Sequence, residues 1–230
     1  MYIITTKDGS HSLFSEKYEE IYHSGNGALQ ESRHVFIHSG FDHAIQKFQS
    51  VITAESRLNI FEVGFGTGLN ALLTLIAVEQ QKVNVYYETI ERYPVLLDVV
   101  HQLNYVQLLG DGNRGLLFRT LHQCDWNLHH NITSWFGFKK IEQSFLDFQL
   151  SRNTFHVVYF DAFAPENQPE MWTLDMMRKI FDSLVPGGVM VSYCSKSTFR
   201  KTLIEAGFLV EKLPGPPGKR EMVRAIKRQV

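Results

Sequence analysis

Along the 230 residues, short apolar runs of strand length alternate with longer stretches whose apolar positions recur at helical spacing. Residues 58–63 predict a strand, 69–80 a helix and 83–90 a second strand that leads into Glu91. Further on, 94–104 predicts a helix opening at Pro94, a favoured first-turn residue. After a stretch with little legible period come strands at 137–142 and 155–160, a helix at 170–183, a strand at 188–193 and a helix at 197–206. Strands at 208–213 and 221–227 close the chain as a hairpin around Pro214-Gly-Pro-Pro-Gly218. Residues 2–6 and 11–15, joined by Lys7-Asp-Gly-Ser10, predict a hairpin ahead of the main sheet. The alternation implies an α/β fold, a doubly wound and mostly parallel sheet with an N-terminal β-hairpin extension. We expect residues 1–50 to form the hairpin and a helical extension and 51–230 the main domain, as one compact unit.

Between the first strand and its helix stands Phe61-Glu-Val-Gly-Phe-Gly-Thr-Gly-Leu-Asn70. Gly64 and Gly66 allow a tight turn and close approach to a ligand, and Gly68 lets the helix start against the strand. The dinucleotide fingerprint G-x-G-x-x-G would need glycine where Leu69 stands, so the G-x-G-x-G spacing with Glu62 before it points to S-adenosylmethionine. A βα turn of an unrelated α/β domain is the alternative. Glu91, a little over twenty residues beyond Gly68, stands where an acid meets ribose hydroxyls in nucleotide-binding βαβ units. Glu88 competes for that role, but Glu91 is at the carboxyl end of its strand.

A second constellation runs from Phe155 through Asp161-Ala-Phe-Ala-Pro165 to Pro169-Glu-Met-Trp172. An apolar strand ending in an acid, then an aromatic and a proline-rich loop, delivers a polar group and a wall to a ligand crevice. Asp161 is the candidate for chemistry, although Asp also serves simply to turn a chain there. Phe163 and Tyr193 are candidate walls for a sulfonium or a flat base, or else core residues. His122, Cys124, His129 and His130 match no zinc spacing, so no metal is expected; Trp126 and Trp135 read as anchors to the core.

Composition narrows the class. A hydrophobic content of 44% fills a sizeable core. No apolar run approaches the ~18 residues a membrane helix needs. Two cysteines, Cys124 and Cys194, and no export signal after Met1 lead us to expect reduced thiols in a cytoplasmic protein. The net charge of −1 hides a basic end: residues 178–230 hold eleven Lys/Arg against four Asp/Glu. That patch suits a polyanion, or is only a set of solvated faces.

Taken with Glu91-Arg-Tyr-Pro94 and Gly215-Pro-Pro-Gly-Lys-Arg-Glu-Met222, these motifs resemble the methyltransferases of the MnmC/MnmD type. Tyr22-His-Ser-x-x-Gly-Ala28 and Glu31-Ser-x-His-Val-Phe36 are similar to that family too. The resemblance implies a Rossmann-like class I methyltransferase that uses S-adenosyl-L-methionine to N-methylate the 5-aminomethyl group of the wobble (2-thio)uridine of tRNA. It implies a stand-alone methyltransferase without the FAD-dependent oxidase fused in some members. It implies cofactor binding by Glu62, Gly64, Phe65, Gly66, Thr67, Gly68, Asn70, Glu91, Ser144 and Asp161, with Asp161 also catalytic. Substrate would meet Phe163, Pro165, Tyr193, Lys219, Arg220, Glu221 and Met222, with Lys219 and Arg220 bringing the tRNA backbone to the pocket and Glu221-Met222 beside them facing the flipped wobble base. Where relatives often place an acid near the adenine, this chain has Gln143-Ser144, with Asp147 further on. A methyltransferase of small-molecule or protein amines, and a catalytically silent nucleotide- or RNA-binding relative, are the alternative functions.

Overall fold

The computed structural model describes residues 1–50, 52, 56–110 and 112–228. The expected boundary between residues 50 and 51 falls at its edge, since residue 51 lies outside the described residues.

Three strands, β1 (Tyr2–Thr5), β2 (His11–Ser15) and β3 (Glu20–Ile21), form an antiparallel sheet at the N-terminus. A helical segment follows: α1 (Ala28–Ser32), a π-wound stretch (Arg33–Asp42) and α2 (His43–Phe48). Then come β4 (Leu58–Val63), α3 (Leu69–Gln81), β5 (Val85–Glu91), α4 (Leu97–Val100), α5 (Tyr105–Leu109), α6 (Arg114–Gln123), β6 (His129–Asn131) and β7 (Phe136–Glu142). The chain ends with β8 (Phe155–Phe160), a 3₁₀ turn (Pro169–Trp172), α7 (Leu174–Ser183), β9 (Leu184–Ser192), α8 (Ser197–Glu205), β10 (Leu209–Pro214) and β11 (Glu221–Ile226).

The eight-stranded sheet runs β10-β11-β9-β8-β4-β5-β7-β6. Strands β7, β5, β4, β8 and β9 are parallel; β11, β10 and β6 are antiparallel additions at the edges. The central strands β4 and β8 are apolar on both faces because both faces are covered. Alternate residues therefore divide between two cores. Leu58, Ile60, Val157 and Tyr159 pack under α3 and the helical segment 28–48, whereas Phe61, Val63, Val158 and Phe160 pack with residues of α7 and α8. Gly40 brings that helical segment close to the sheet, where an added Cβ would lie 3.0 Å from Val191 and 3.1 Å from Tyr159. The segment before residue 50 is thus a layer of the same core.

The expected helix at 94–104 is corrected. Glu91 Oε1 accepts the Tyr93 N–H at 2.8 Å, and Leu96 stays extended, so helix begins only at Leu97 and stops at Val100. Asn104 is used by the N-terminal hairpin: its side chain accepts from His11 N–H at 2.8 Å and donates to Gly9 O at 2.9 Å. The expected helix at 170–183 divides at Thr173, whose hydroxyl caps α7. Strand β9 starts at Leu184, earlier than its apolar run suggests, because Phe155 pairs with Leu184.

Candidate active site

The site lies where the order of the sheet reverses, between β4 and β8, at the carboxyl ends of the parallel strands. A cavity of about 290 Å³ opens there. Its floor is the turn after β4, where Gly64 (φ +92°) and Gly66 (φ +48°) adopt backbone that side chains rarely tolerate. A Cβ on Gly64 would sit 2.8 Å from Asp161 O, so the β4 and β8 ends touch backbone to backbone. Glu91, at the end of β5, ties the floor down, its Oε2 accepting the Gly66 N–H at 3.0 Å. Gln143 and Ser144 after β7, with Phe145 and Leu146, form one wall. Asp161, Phe163 and Tyr193 form another.

Asp161 Oδ2 accepts a hydrogen bond from Asn70 Nδ2 at 2.8 Å, which couples the end of β8 to the first turn of α3. Burial pushes the Asp161 carboxyl up to about 7, with the Asn70 hydrogen bond working against it. Tyr193 donates to Ala162 O at 2.9 Å, which fixes its ring beside the acid. The Trp172 indole donates to Phe163 O at 2.8 Å and holds that loop from behind.

The N-terminal sheet closes the site, and sequence reasoning attached no chemistry to it. Glu20 Oε2 accepts both the Ala164 N–H and Asn167 Nδ2 at 2.9 Å, clamping the loop after β8. Tyr18 stacks on Phe163 at 4.5 Å and Tyr22 meets it edge-on at 5.0 Å. Tyr18, Glu20, Tyr22 and Glu31 all line the cavity. Glu31 carried a signal, as an acid among the buried Ala28, Leu29 and Ser32 of one short helix.

Of the expected cofactor residues, Gly64, Phe65, Gly66, Thr67, Asn70, Glu91, Ser144 and Asp161 line the cavity. Glu62 and Gly68 do not. Glu62 shares the parity of Leu58 and Ile60, so it points under the glycine turn, fully buried among Thr89, Asn70 and Tyr87. Burial pushes it up to about 8, so it is mostly protonated at neutral pH. Gly68 (φ +73°) instead makes room for His122, whose Nε2 would lie 2.5 Å from an added Cβ. Glu88 pairs with Lys139 at 3.5 Å and stays out of the cavity, as does Asp147.

Among the expected substrate residues Phe163, Tyr193 and Lys219 reach the cavity, whereas Pro165, Arg220, Glu221 and Met222 do not. Strand β11 begins at Glu221, which turns Met222 into the core and leaves Glu221 on Lys212 (2.7 Å) and Arg200 (3.3 Å). Part of the basic end is paired within the fold, with Lys196 on Glu166, Lys219 on Glu31 and Arg224 on Glu211. Arg220 is exposed. Among the described residues no His/Cys/Asp/Glu group could hold a metal ion, and no helix is long and apolar enough to cross a membrane. His122 packs between Phe65 and Phe118, and Trp126 and Trp135 pack against the core as expected.

The residues present fit S-adenosyl-L-methionine: a glycine floor that a Cβ would fill, a carboxylate with lone pairs to spare at Glu91, and apolar walls at Ile90 and Phe145. Fold and site define an S-adenosyl-L-methionine-dependent methyltransferase. The family model of that description matches residues 124–228. The chain is 28% identical to the tRNA 5-methylaminomethyl-2-thiouridine biosynthesis bifunctional protein MnmC of Ectopseudomonas mendocina, over 91% of this chain and 32% of that protein. It is 30% identical to the MnmC of Actinobacillus pleuropneumoniae, over 94% of this chain and 33% of that protein. It thus spans about a third of the length of these relatives. Among solved structures, MNMC2 from Aquifex aeolicus covers 99% of this chain and 70% of its own with a TM-score of 0.77 at 23% identity. A probable spermidine synthase from Corynebacterium glutamicum shares the fold, with a TM-score of 0.51 at 15% identity over 95% of this chain and 68% of its own. The chain is thus similar to the MnmC proteins over nearly its whole length.

Proposed function

We propose that the protein methylates the nitrogen of the 5-aminomethyl group on the wobble (2-thio)uridine of tRNA. The observation that carries the reading is the Asp161 carboxyl on the cavity wall, raised to about 7 and held by Asn70. An alkylamine, with a pKa of ~10.4 by analogy with lysine, reaches the site as an ammonium and must lose a proton before its lone pair can react. A carboxylate poised near neutrality accepts a hydrogen bond from that amine, orients it and takes or relays its proton. When bound, S-adenosyl-L-methionine supplies an electrophilic methyl group. Glu91 holds the cofactor's polar edge above the glycine turn, whose own N–H groups at Gly64, Gly66 and Gly68 are taken within the fold, and Ser144 or Gln143 meets its base. Phe163, Tyr18 and Tyr22 wall the acceptor off from water and fix its approach. Residues 1–50 then belong to the catalytic unit, since Glu20 and Tyr22 complete the cavity.

The test is methyl transfer from labelled cofactor to tRNA carrying 5-aminomethyluridine, followed by nucleoside analysis. Label in 5-methylaminomethyl-(2-thio)uridine is expected. Label that enters only free small amines or protein would overturn the tRNA reading, and a protein that binds no cofactor would overturn the enzymatic one.

A further inference from the structure

Lys219 and Glu31, 188 positions apart in sequence, meet on the cavity wall, with Lys219 Nζ donating to Glu31 Oε1 at 2.6 Å. The second oxygen of Glu31 accepts the Ser24 N–H at 2.6 Å, so the carboxylate is fixed from both ends. Lys219 Nζ also lies 4.0 Å from the centroid of the Tyr193 ring, and that ring is anchored in turn on Ala162 O. The Glu31 side chain is 7% exposed and that of Lys219 32%. Desolvating such a pair costs about as much as the attraction returns, so stability alone does not account for it.

The arrangement leaves a cation with donors unused. An ammonium has three N–H groups; Glu31 takes one, and the ring face offers no acceptor of comparable strength. Lys219, Glu31, Tyr193 and Asp161 line the same cavity. The charges of Glu31 and Lys219 both reach Asp161, the first raising and the second lowering its proton affinity. In a pyrimidine carrying an aminomethyl group at C5, the C4 carbonyl is the neighbouring ring position. A donor on the wall that also carries Asp161 can therefore meet the carbonyl while Asp161 meets the amine.

We propose that Lys219, held by Glu31 and the Tyr193 ring, donates a hydrogen bond to a carbonyl oxygen of the target base, and that Glu31 is a positioning residue acting through it. This rests on the tRNA reading above. It differs from a phosphate contact, for which a neutralised, inward-facing lysine is poorly placed and an exposed cation such as Arg220 is better suited.

The experiment measures steady-state kinetics and salt-dependent binding with tRNA carrying 5-aminomethyluridine, for wild type, Lys219→Met, Glu31→Gln and the double variant. Lys219→Met should lower kcat/KM for tRNA by about 10- to 100-fold, as for a hydrogen bond to a charged donor, with cofactor Kd within about twofold. Its slope of log Kd against log salt should equal that of wild type, because no phosphate contact is lost. Glu31→Gln should lose part of the same activity, and the double variant no more than Lys219→Met, since the two act as one unit. A salt slope reduced by about one with kcat unchanged would make Lys219 a phosphate contact and overturn the proposal. Wild-type kinetics in Lys219→Met would reduce the pair to a structural ion pair. Should the Met variant fail to fold, Lys219→Arg is read instead: it keeps the charge but not the compact ammonium, and undiminished kcat/KM there also overturns the proposal. If wild-type protein leaves tRNA unlabelled, the tRNA reading falls and takes this inference with it; if wild type is active and the variants match it, this inference alone falls.

Discussion

Replacing Asp161 by Asn separates chemistry from architecture, because the amide keeps the shape of the carboxyl and can still accept the 2.8 Å bond from Asn70 but takes no proton near neutrality. Single-turnover methylation should slow by about 10²- to 10⁴-fold, the range for a positioned acid–base group. Stability should move the other way. The folded carboxyl titrates near 7 rather than at its ordinary 3.8, so between those values the native state binds more protons than the unfolded chain and stability falls as pH rises. The shift sets a ceiling of about 4 kcal/mol above pH 7, and contact of this half-buried group with solvent in the cavity leaves about 1–2 kcal/mol. Asp161→Asn removes that cost, so at pH 8 it should melt higher than wild type while reacting far more slowly. Asn70→Ala provides the companion measurement. It deletes the hydrogen bond that lowers the Asp161 pKa, so any inflection near pH 7 in the wild-type single-turnover profile should move to higher pH. Rapid-quench methylation across pH 5.5–9 with melting of the same samples reads both effects. An Asp161→Asn enzyme with an undiminished chemical step would remove Asp161 from the mechanism, and one that is slow and melts lower at pH 8 would make it a structural residue.

Gly66→Val should abolish cofactor binding in calorimetry, since the residue sits at φ +48° and an added Cβ would lie 3.0 Å from the Tyr22 ring on the cavity wall; retained affinity would misplace the cofactor floor. Glu62→Gln should keep cofactor affinity within a few-fold and raise Tm more at pH 8.5 than at pH 5. The buried acid has a folded pKa of about 8, above its ordinary 4.5, and so loses stability over that interval. A Tm gain that does not grow with pH would show that Glu62 is not held as the neutral acid. Arg220→Ala should weaken tRNA binding and reduce the salt slope by about one without changing cofactor Kd, which tests whether the exposed cation of the 214–220 loop meets a phosphate.

The parts of the site that were legible in sequence are those fixed by neighbours in sequence. An apolar run, a glycine turn and a helical period located β4, the cofactor turn and α3, and strand length carried Glu91 and Asp161 to the ends of β5 and β8. Parity along a strand was the finer signal. Glu62 shares its face with Leu58 and Ile60, and had that alternation been weighed it would have removed Glu62 from the ligand side. Met222, expected to meet substrate, turns into the core instead, because its direction depends on where β11 begins, a choice made by the pairing of Val223 with Ser192 rather than by the loop before it.

What sequence periodicity could not supply is the closure of the site by residues far apart in the chain. Glu20 reaches Ala164, Tyr18 reaches Phe163, and Lys219 reaches Glu31, each across more than a hundred positions. Neither Glu20 nor Tyr18 has a local pattern that distinguishes it from a solvated charge or a surface aromatic. The basic end of the chain illustrates the consequence: read as a sum it promises an open cationic surface, yet Lys196, Lys212, Lys219, Arg200 and Arg224 each have a carboxylate partner once folded. Charge available to a polyanion is therefore set by pairing, so the proposed tRNA contact would rest on the cations that pairing leaves over rather than on the summed charge of the patch. Arg220, exposed and outside the cavity lining, and Lys219 on the cavity wall are then distinguishable in kind, the first through the salt dependence of binding and the second through the chemical step.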